Sequence, residues 1–403
     1  MAKDPISIKG DVAPDFEPVR EAFERNFIER QELGAACAAY CGGRKVVDLW
    51  GGLRDEQNGA EWEEDTLAMV SSTTNGLTAL AIALAHSRGY FELDQPVFSY
   101  WPEFYQNGKK WITVRQLMAH QAGLCALDTL PTYEDIKDLD TLARILASQQ
   151  PAWVPGTRQG YHAVTFGWYA GELLRRVDPS HRSLGRFFNE EIAIPLGLEF
   201  YIGLPPEIPD SRLASIREFG LYQTLSESNK LPIKMALNFL NPNSLTTRAF
   251  ATPIPKTVDE RKRKRDFLVV EGPGYNGIGT ARSIAKAYNI FALGGKGLRL
   301  KPETLEALTT PAPPPSAGLE DLVTGLEMSF SLGMLKPFRG YEFGSSSRAY
   351  GMPGLGGSFG YADPDTGSGF AYIPNKWNFK LHNDPRQVSL WQAFQNCLSR
   401  LAQ

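Results

Sequence analysis

The chain has 403 residues, 42% of them hydrophobic and 22% charged, with a formal net charge of −3. That length supports one large mixed domain carrying an insertion, or two domains, and the composition excludes a disordered chain. The charge balance supplies no global basic field for nucleic acid or an anionic membrane, and no uninterrupted apolar run reaches the length of a membrane span.

The opening Met-Ala-Lys-Asp-Pro-Ile-Ser lacks an apolar signal core, so a cytoplasmic protein is expected. Cys37, Cys41, Cys125 and Cys397 have neither zinc nor redox spacing and read as reduced core thiols. No metal or organic cofactor is implied. The Arg261-Lys-Arg-Lys-Arg265 run reads as a solvated face rather than a nucleic-acid patch.

Phe16, Val19, Phe23 and Phe27 recur at helical spacing behind Pro14-Asp15, which predicts an amphipathic helix. Gly34 to Tyr40 and Lys45 to Trp50 read as strands, joined through a hairpin at Cys41-Gly42-Gly43-Arg44. Ala- and Leu-rich Thr73 to His86 predicts a buried helix. Thr113 to His120 predicts another, capped by Thr113 and ended by Gly123. From about residue 130 to 320, helical patterns alternate with Pro- and Gly-rich loops, without an internal repeat. Thr309 to Ala317 reads as a stiff linker. Beyond it, Met328 to Leu335, Gly357 to Ala362 and Gly369 to Ile373 read as strands, with Asp363 to Gly367 as a hairpin loop. Val388, Trp391, Phe394, Leu398 and Leu401 predict a closing amphipathic helix.

The expected fold class is therefore α+β: an antiparallel sheet flanked by helices, built from both termini, with a large mainly helical insertion. The expected division places residues 1–70 plus 325–403 in the sheet domain and 71–324 in the helical domain, with the active site at their interface.

Ser72 opens the buried helix, where unpaired N–H groups and the helix dipole favour developing negative charge. The residue at i+3 shares its face and can reach the serine oxygen. A lysine there would take the serine proton; this chain has Asn75. An ordinary helix cap is the alternative for Ser72 taken alone. Tyr161 follows the turn at Pro155-Gly156 and precedes a helix starting near Val164, and Met352-Pro353-Gly354 enters a strand region.

Together these segments resemble the β-lactamase-like serine hydrolases, which include class C β-lactamases, DD-peptidases, family VIII carboxylesterases and related acyltransferases. The resemblance is carried by Lys45 to Gly52, Ser72 to Ala79, Ile112 to Leu124, Trp153 to Tyr161, Asn276 to Ser283 and Gly354 to Pro364, and it spans nearly the whole chain. It implies Ser72 as nucleophile, Tyr161 as the proton-shuttling phenol, and the third motif at Met352-Pro353-Gly354. It also implies an oxyanion hole built from the backbone N–H groups of Ser72 and Leu355. Asn75 replaces the family's lysine, Met352 replaces a lysine or histidine, and Ala163 stands where many relatives carry asparagine.

Asn75 can donate and accept hydrogen bonds but cannot take a proton. Losing a positioned base costs a factor of about 100 to 10,000. His162, beside Tyr161, is the compensating candidate. His120 reads as structural, and His86, His181 and His382 as surface or helix-end residues. Phe219, Tyr222, Phe239 and Phe250 are candidates to line an apolar substrate pocket, with core packing as the alternative.

Three functions fit. The first is a serine esterase or acyltransferase acting on a small ester or amide through Ser72, with an altered proton relay. The second is a non-hydrolytic descendant, a cyclase, isomerase or lyase, using Tyr161 and the oxyanion pocket without an acyl-enzyme. The third is a pseudoenzyme that only binds. The expected partner is a small molecule, with no nucleic acid and no membrane. Nothing in the sequence sets the oligomeric state.

Overall fold

Both ends of the chain enter one antiparallel sheet in the computed structural model, which describes residues 7–217, 233–254, 260–295, 297–378, 380 and 382–401, without the side chains of residues 233 and 260–263. The strands are β1 (Ile8–Val12), β2 (Gly34–Cys41), β3 (Arg44–Asp55), β4 (Ala60–Glu61), β5 (Ala68–Met69), β6 (Phe200–Tyr201), β7 (Ile278–Gly279), β8 (Tyr350–Pro353), β9 (Phe359–Asp363) and β10 (Ser368–Pro374). The main sheet runs β1-β3-β2-β10-β9-β8 with β4 on β3, and a small sheet runs β5-β7-β6.

The first helices are α1 (Glu17–Arg30), α2 (Thr73–Ser87), α3 (Val114–Met118), α4 (Tyr133–Lys137), α5 (Leu139–Ser148), α6 (Thr165–Val177), α7 (Leu184–Phe188) and α8 (Ile194–Leu196). They are followed by α9 (Ile233–Phe239), α10 (Leu245–Ala249), α11 (Glu260–Val269), α12 (Ala281–Ala292), α13 (Pro302–Thr309) and α14 (Pro385–Leu401). The α+β class is as expected.

The pleat sorts the side chains of the central strands between two cores. Cys37, Ala39, Val47 and Leu49 join Phe23 and Phe27 of α1 and Leu390 and Phe394 of α14 on one face. Ala38 and Ala371 join Ile284 and Tyr288 of α12 on the other. Gly369 makes that second contact possible: a Cβ there would lie 2.3 Å from Asn289 N and 2.4 Å from Ala285 O of α12. The β2–β3 hairpin turns on Gly42 and Gly43, whose φ values of 56° and 83° suit the primed turn that matches strand twist. All four cysteines are free, and Cys41 alone of them is partly exposed.

Several segments differ from expectation. β1 is not among the expected strands: its five residues are too short a run to read alone, and they pair with β3. Met328 to Leu335 is not a strand: it makes only isolated bridges, Phe330 to Leu335 and Leu335 to Gly351. Its backbone is spent on a turn, with Ser331 N–H donating to Met334 O at 2.8 Å and Gly333 at φ 71°. The helix after Thr113 has the expected cap, reinforced by Gln116 in a capping box, but ends at Met118. His120, at φ 60°, turns the chain before Gly123 is reached. Thr309 to Ala317 is no free linker, because Ala312, Ser316 and Ala317 donate to Phe330 O, Gly156 O and Thr157 O.

Candidate active site

The short strand β5 delivers the chain to Ser72. Val70 N–H donates to Gly277 O at 2.9 Å, and Thr74 Oγ1 links Ser71 O at 2.6 Å to Gly277 N at 2.9 Å. Ser71 is left at φ 46°, a left-handed conformation that is uncommon outside glycine and tends to occur at functional turns. Ser72 then occupies the N-cap of α2, but its hydroxyl makes no capping bond. The helix-cap alternative therefore does not account for it.

Asn75 lies one turn along α2, fully buried. Its Nδ2 donates to the Tyr161 phenol oxygen at 2.9 Å and to Ala163 O at 3.4 Å. Its Oδ1 is buried with no hydrogen-bond partner among the described residues. Burial pushes the Tyr161 phenol up to about 12, with hydrogen bonds to Ser72 and Asn75 partly offsetting it. The structure thus brings Ser72, Asn75 and Tyr161 together. Met352 lies alongside, its sulfur 3.9 Å from the phenol oxygen. The amide fixes the phenol where a lysine would have charged its surroundings.

His162 cannot compensate. Its Nε2 accepts from Leu124 N–H at 3.1 Å, so its proton sits on Nδ1, which faces His120 Nδ1 at 3.2 Å. That same His120 nitrogen also accepts from His162 N–H at 3.1 Å. Burial holds His162 down to about 3 and His120 well below the ordinary imidazole value. The pair pins the turn that carries Tyr161. The His120 ring also packs 4.3 Å from Phe330, which in turn stacks parallel to Tyr161 at 6.3 Å.

The third motif sits opposite α2. Ser358 Oγ donates to Val70 O at 2.7 Å and, as its proton is spent there, accepts from Thr73 Oγ1 at 2.9 Å. This ties the β8–β9 turn to the nucleophile turn. Gly354 leaves the space for that tie, since a Cβ there would lie 2.3 Å from Ser358 Oγ and from Val70 O. The N–H groups of Ser72 and Leu355 have no hydrogen-bond partner among the described residues.

Ser72 and Tyr161 open into a recess of about 470 Å³, including its mouth, walled by Phe250, Leu326, Met328, Leu335, Phe338 and Met352. Thr324 and His382 are its other polar members, and no lysine or arginine lines it among the described residues. His382, expected as a surface or helix-end residue, is half-buried at this wall, its imidazole pushed down by burial and by Lys380. His86 lies in the last turn of α2, a helix-end position as expected, but buried and hydrogen-bonded to Thr304 at 2.8 Å. Of the four candidate aromatic residues, Phe250 lines the recess. Phe239 packs tilted against Phe250 at 5.6 Å from outside, while Phe219 and Tyr222 lie outside the described residues. Arg265 of the basic run pairs with Asp210 at 2.9 Å. Phe330, Ser358 and the wall from Thr324 to Leu335 were not singled out from the sequence; only Ser358 had a signal, inside the Gly354-Leu-Gly-Gly-Ser358 motif.

The family model described as Beta-lactamase matches residues 19–390. The chain belongs to the beta-lactamase family. It is 34% identical over 372 residues to "Esterase/beta-lactamase LipL" of Mycobacterium tuberculosis (strain ATCC 25618 / H37Rv), covering 91% of this chain and 82% of that protein. Among solved structures it is similar to a family VIII carboxylesterase, with TM-score 0.83, 36% identity, and 97% and 100% of the two chains covered. It is also similar to a penicillin-binding protein homologue from Caulobacter crescentus, with TM-score 0.84, 34% identity and the same coverage. The chain is thus a beta-lactamase-fold enzyme of the esterase and hydrolase type.

Proposed function

We propose that this enzyme cleaves or transfers the acyl group of a small, uncharged, apolar ester through Ser72. The observation that carries this reading is the uncapped Ser72 hydroxyl beside the Tyr161 phenol at the floor of an apolar recess. Ser72 Oγ attacks the ester carbonyl, and the Ser72 and Leu355 N–H groups receive the oxyanion. As the phenolate, Tyr161 takes the serine proton and returns it to the leaving alcohol. Water or a second alcohol then releases the acyl group by the reverse sequence. The apolar wall, which holds no cation among the described residues, favours uncharged acyl chains over carboxylate-bearing substrates.

Asn75 favours a second reading. Standing in place of a lysine it brings no charge to set against burial, so burial keeps Tyr161 protonated and able to donate a proton, which suits an isomerisation or elimination without an acyl-enzyme. One experiment separates the two: labelling by an alkyl fluorophosphonate together with hydrolysis of a chromogenic ester. Under the esterase reading the wild type is labelled on Ser72, Ser72→Ala loses both signals, and Tyr161→Phe loses about 100-fold or more in rate. A folded wild type that neither labels nor hydrolyses would reject it.

A further inference from the structure

We infer that Arg386, far from Ser72 in sequence and outside the recess, is a positioning residue that orients the Leu355 N–H donor. The inference rests on the reading of that N–H as half of the oxyanion hole.

The turn between β8 and β9 holds two peptide groups in series. Arg386 Nη2 donates to Gly356 O at 2.8 Å. The same peptide plane carries Gly357 N–H, which donates to Gly354 O at 3.1 Å. Gly354 O in turn shares its plane with Leu355 N–H. A trans peptide points its C=O and N–H in opposite directions. Fixing Gly354 O from one side therefore aims Leu355 N–H to the other. Hydrogen bonds in such a chain also polarise one another, so the guanidinium charge strengthens the last donor as well as orienting it.

The turn fits no other side chains. Gly356 and Gly357 lie at φ +93° and +103°. A Cβ at Gly356 would meet the Trp377 ring at 2.4 Å, and one at Gly357 would lie 2.3 Å from Asp384 Oδ2 and 2.7 Å from Arg386 Nη2. The guanidinium is itself immobilised. Glu32 receives its Nη1 at 3.0 Å, Asp384 receives Nη2 at 2.7 Å, and Lys376 O receives Nη1 at 2.7 Å. Tyr372 donates to Glu32, and Asn378 Nδ2 to Asp384 at 2.5 Å. Arg386, Glu32 and Asp384 are all buried. A buried ion cluster of this kind is often no more stabilising than apolar packing. What it supplies here is a charged fork held rigid at one end with its remaining donor on the Gly356 carbonyl.

The test compares Arg386→Lys with Glu32→Gln, using kcat and KM on a chromogenic ester, the fluorophosphonate labelling rate and the thermal midpoint. Lysine keeps a charge but loses the fork. Glu32→Gln weakens the cluster while leaving the bond to Gly356. The expected result is a kcat and labelling-rate loss of about 100-fold in Arg386→Lys, the order of one oxyanion donor, with KM within a few-fold. Glu32→Gln is expected to lower the midpoint and leave kcat within a few-fold. If Arg386→Lys does not fold, the double variant Glu32→Gln, Arg386→Gln, which removes opposite charges together, is expected to show the same kcat loss. Unchanged kcat in a labelled enzyme, or an equal loss in Glu32→Gln, would overturn the inference alone. Absence of labelling in the wild type would overturn the esterase reading and this inference with it.

Discussion

Replacing Asn75 with lysine tests the central peculiarity of this site. With the Tyr161 phenol pushed up to about 12, only about one molecule in 10⁵ carries the phenolate at pH 7. The wild-type rate is therefore expected to climb about tenfold per pH unit up to about pH 11. A lysine ammonium about 4 Å from the phenol oxygen, at an effective dielectric of about 20, favours the phenolate by about 4 kcal/mol, or roughly 3 pKa units. That brings the phenol to about 9 and raises the phenolate fraction at pH 7 about 1,000-fold. The gain lies within the range of about 100 to 10,000 supplied by a positioned base. The assay is kcat/KM against pH for a chromogenic ester, with Ser72→Ala as blank and the thermal midpoint as check on folding. The variant should be faster at neutral pH and level off near pH 9. A wild-type profile already flat from about pH 7 to 9 would refute the phenolate argument. So would a folded Asn75→Lys enzyme without gain, and that second result would favour the non-hydrolytic reading.

The buried imidazoles predict an acid-sensitive fold. His162 is held down to about 3 and His120 is also lowered, so both are neutral in the folded chain. The unfolded chain binds more protons below about pH 6.5, so stability falls as pH drops from there toward 3, by about 1.4 kcal/mol per unit for each histidine. Asp321, raised to about 6 by burial, acts with the opposite sign between about pH 4 and 6. The comparison of wild type with His162→Gln in urea unfolding at two pH values therefore isolates the imidazole's share. The variant should be less stable at pH 7 and show a shallower acid slope; an equal slope would contradict the buried neutral ring. Phe250 stands 6.3 Å from the Tyr161 ring in the recess wall. Phe250→Ala is expected to lower kcat/KM about tenfold for longer acyl chains and little for an acetyl ester, because chain methylenes lose their apolar partner. A uniform loss across chain lengths would remove Phe250 from the substrate wall.

Local patterning made the frame legible. The Phe16 to Phe27 spacing, the Gly42-Gly43 turn and the apolar stripe from Val388 to Leu398 each encode an element through contacts within a few residues. Met328 to Leu335 misled because apolar residues in a strand-like run can equally face a cavity, and this run does. Its backbone is committed to a turn while Met328 and Leu335 wall the recess.

The sequence by itself determined that Ser72 opens a buried helix and that its i+3 neighbour is an asparagine, since both follow from helical periodicity. It could not determine the state of the phenol or the fate of His162. Those depend on desolvation and on partners 38 to 86 residues away, at Leu124 and Asn75. Only the folded chain buries Tyr161, sets two imidazoles nitrogen to nitrogen at 3.2 Å and brings Arg386 to the Gly356 carbonyl. Burial and long-range hydrogen bonding, acting on the residues the sequence supplies, set the proton chemistry here.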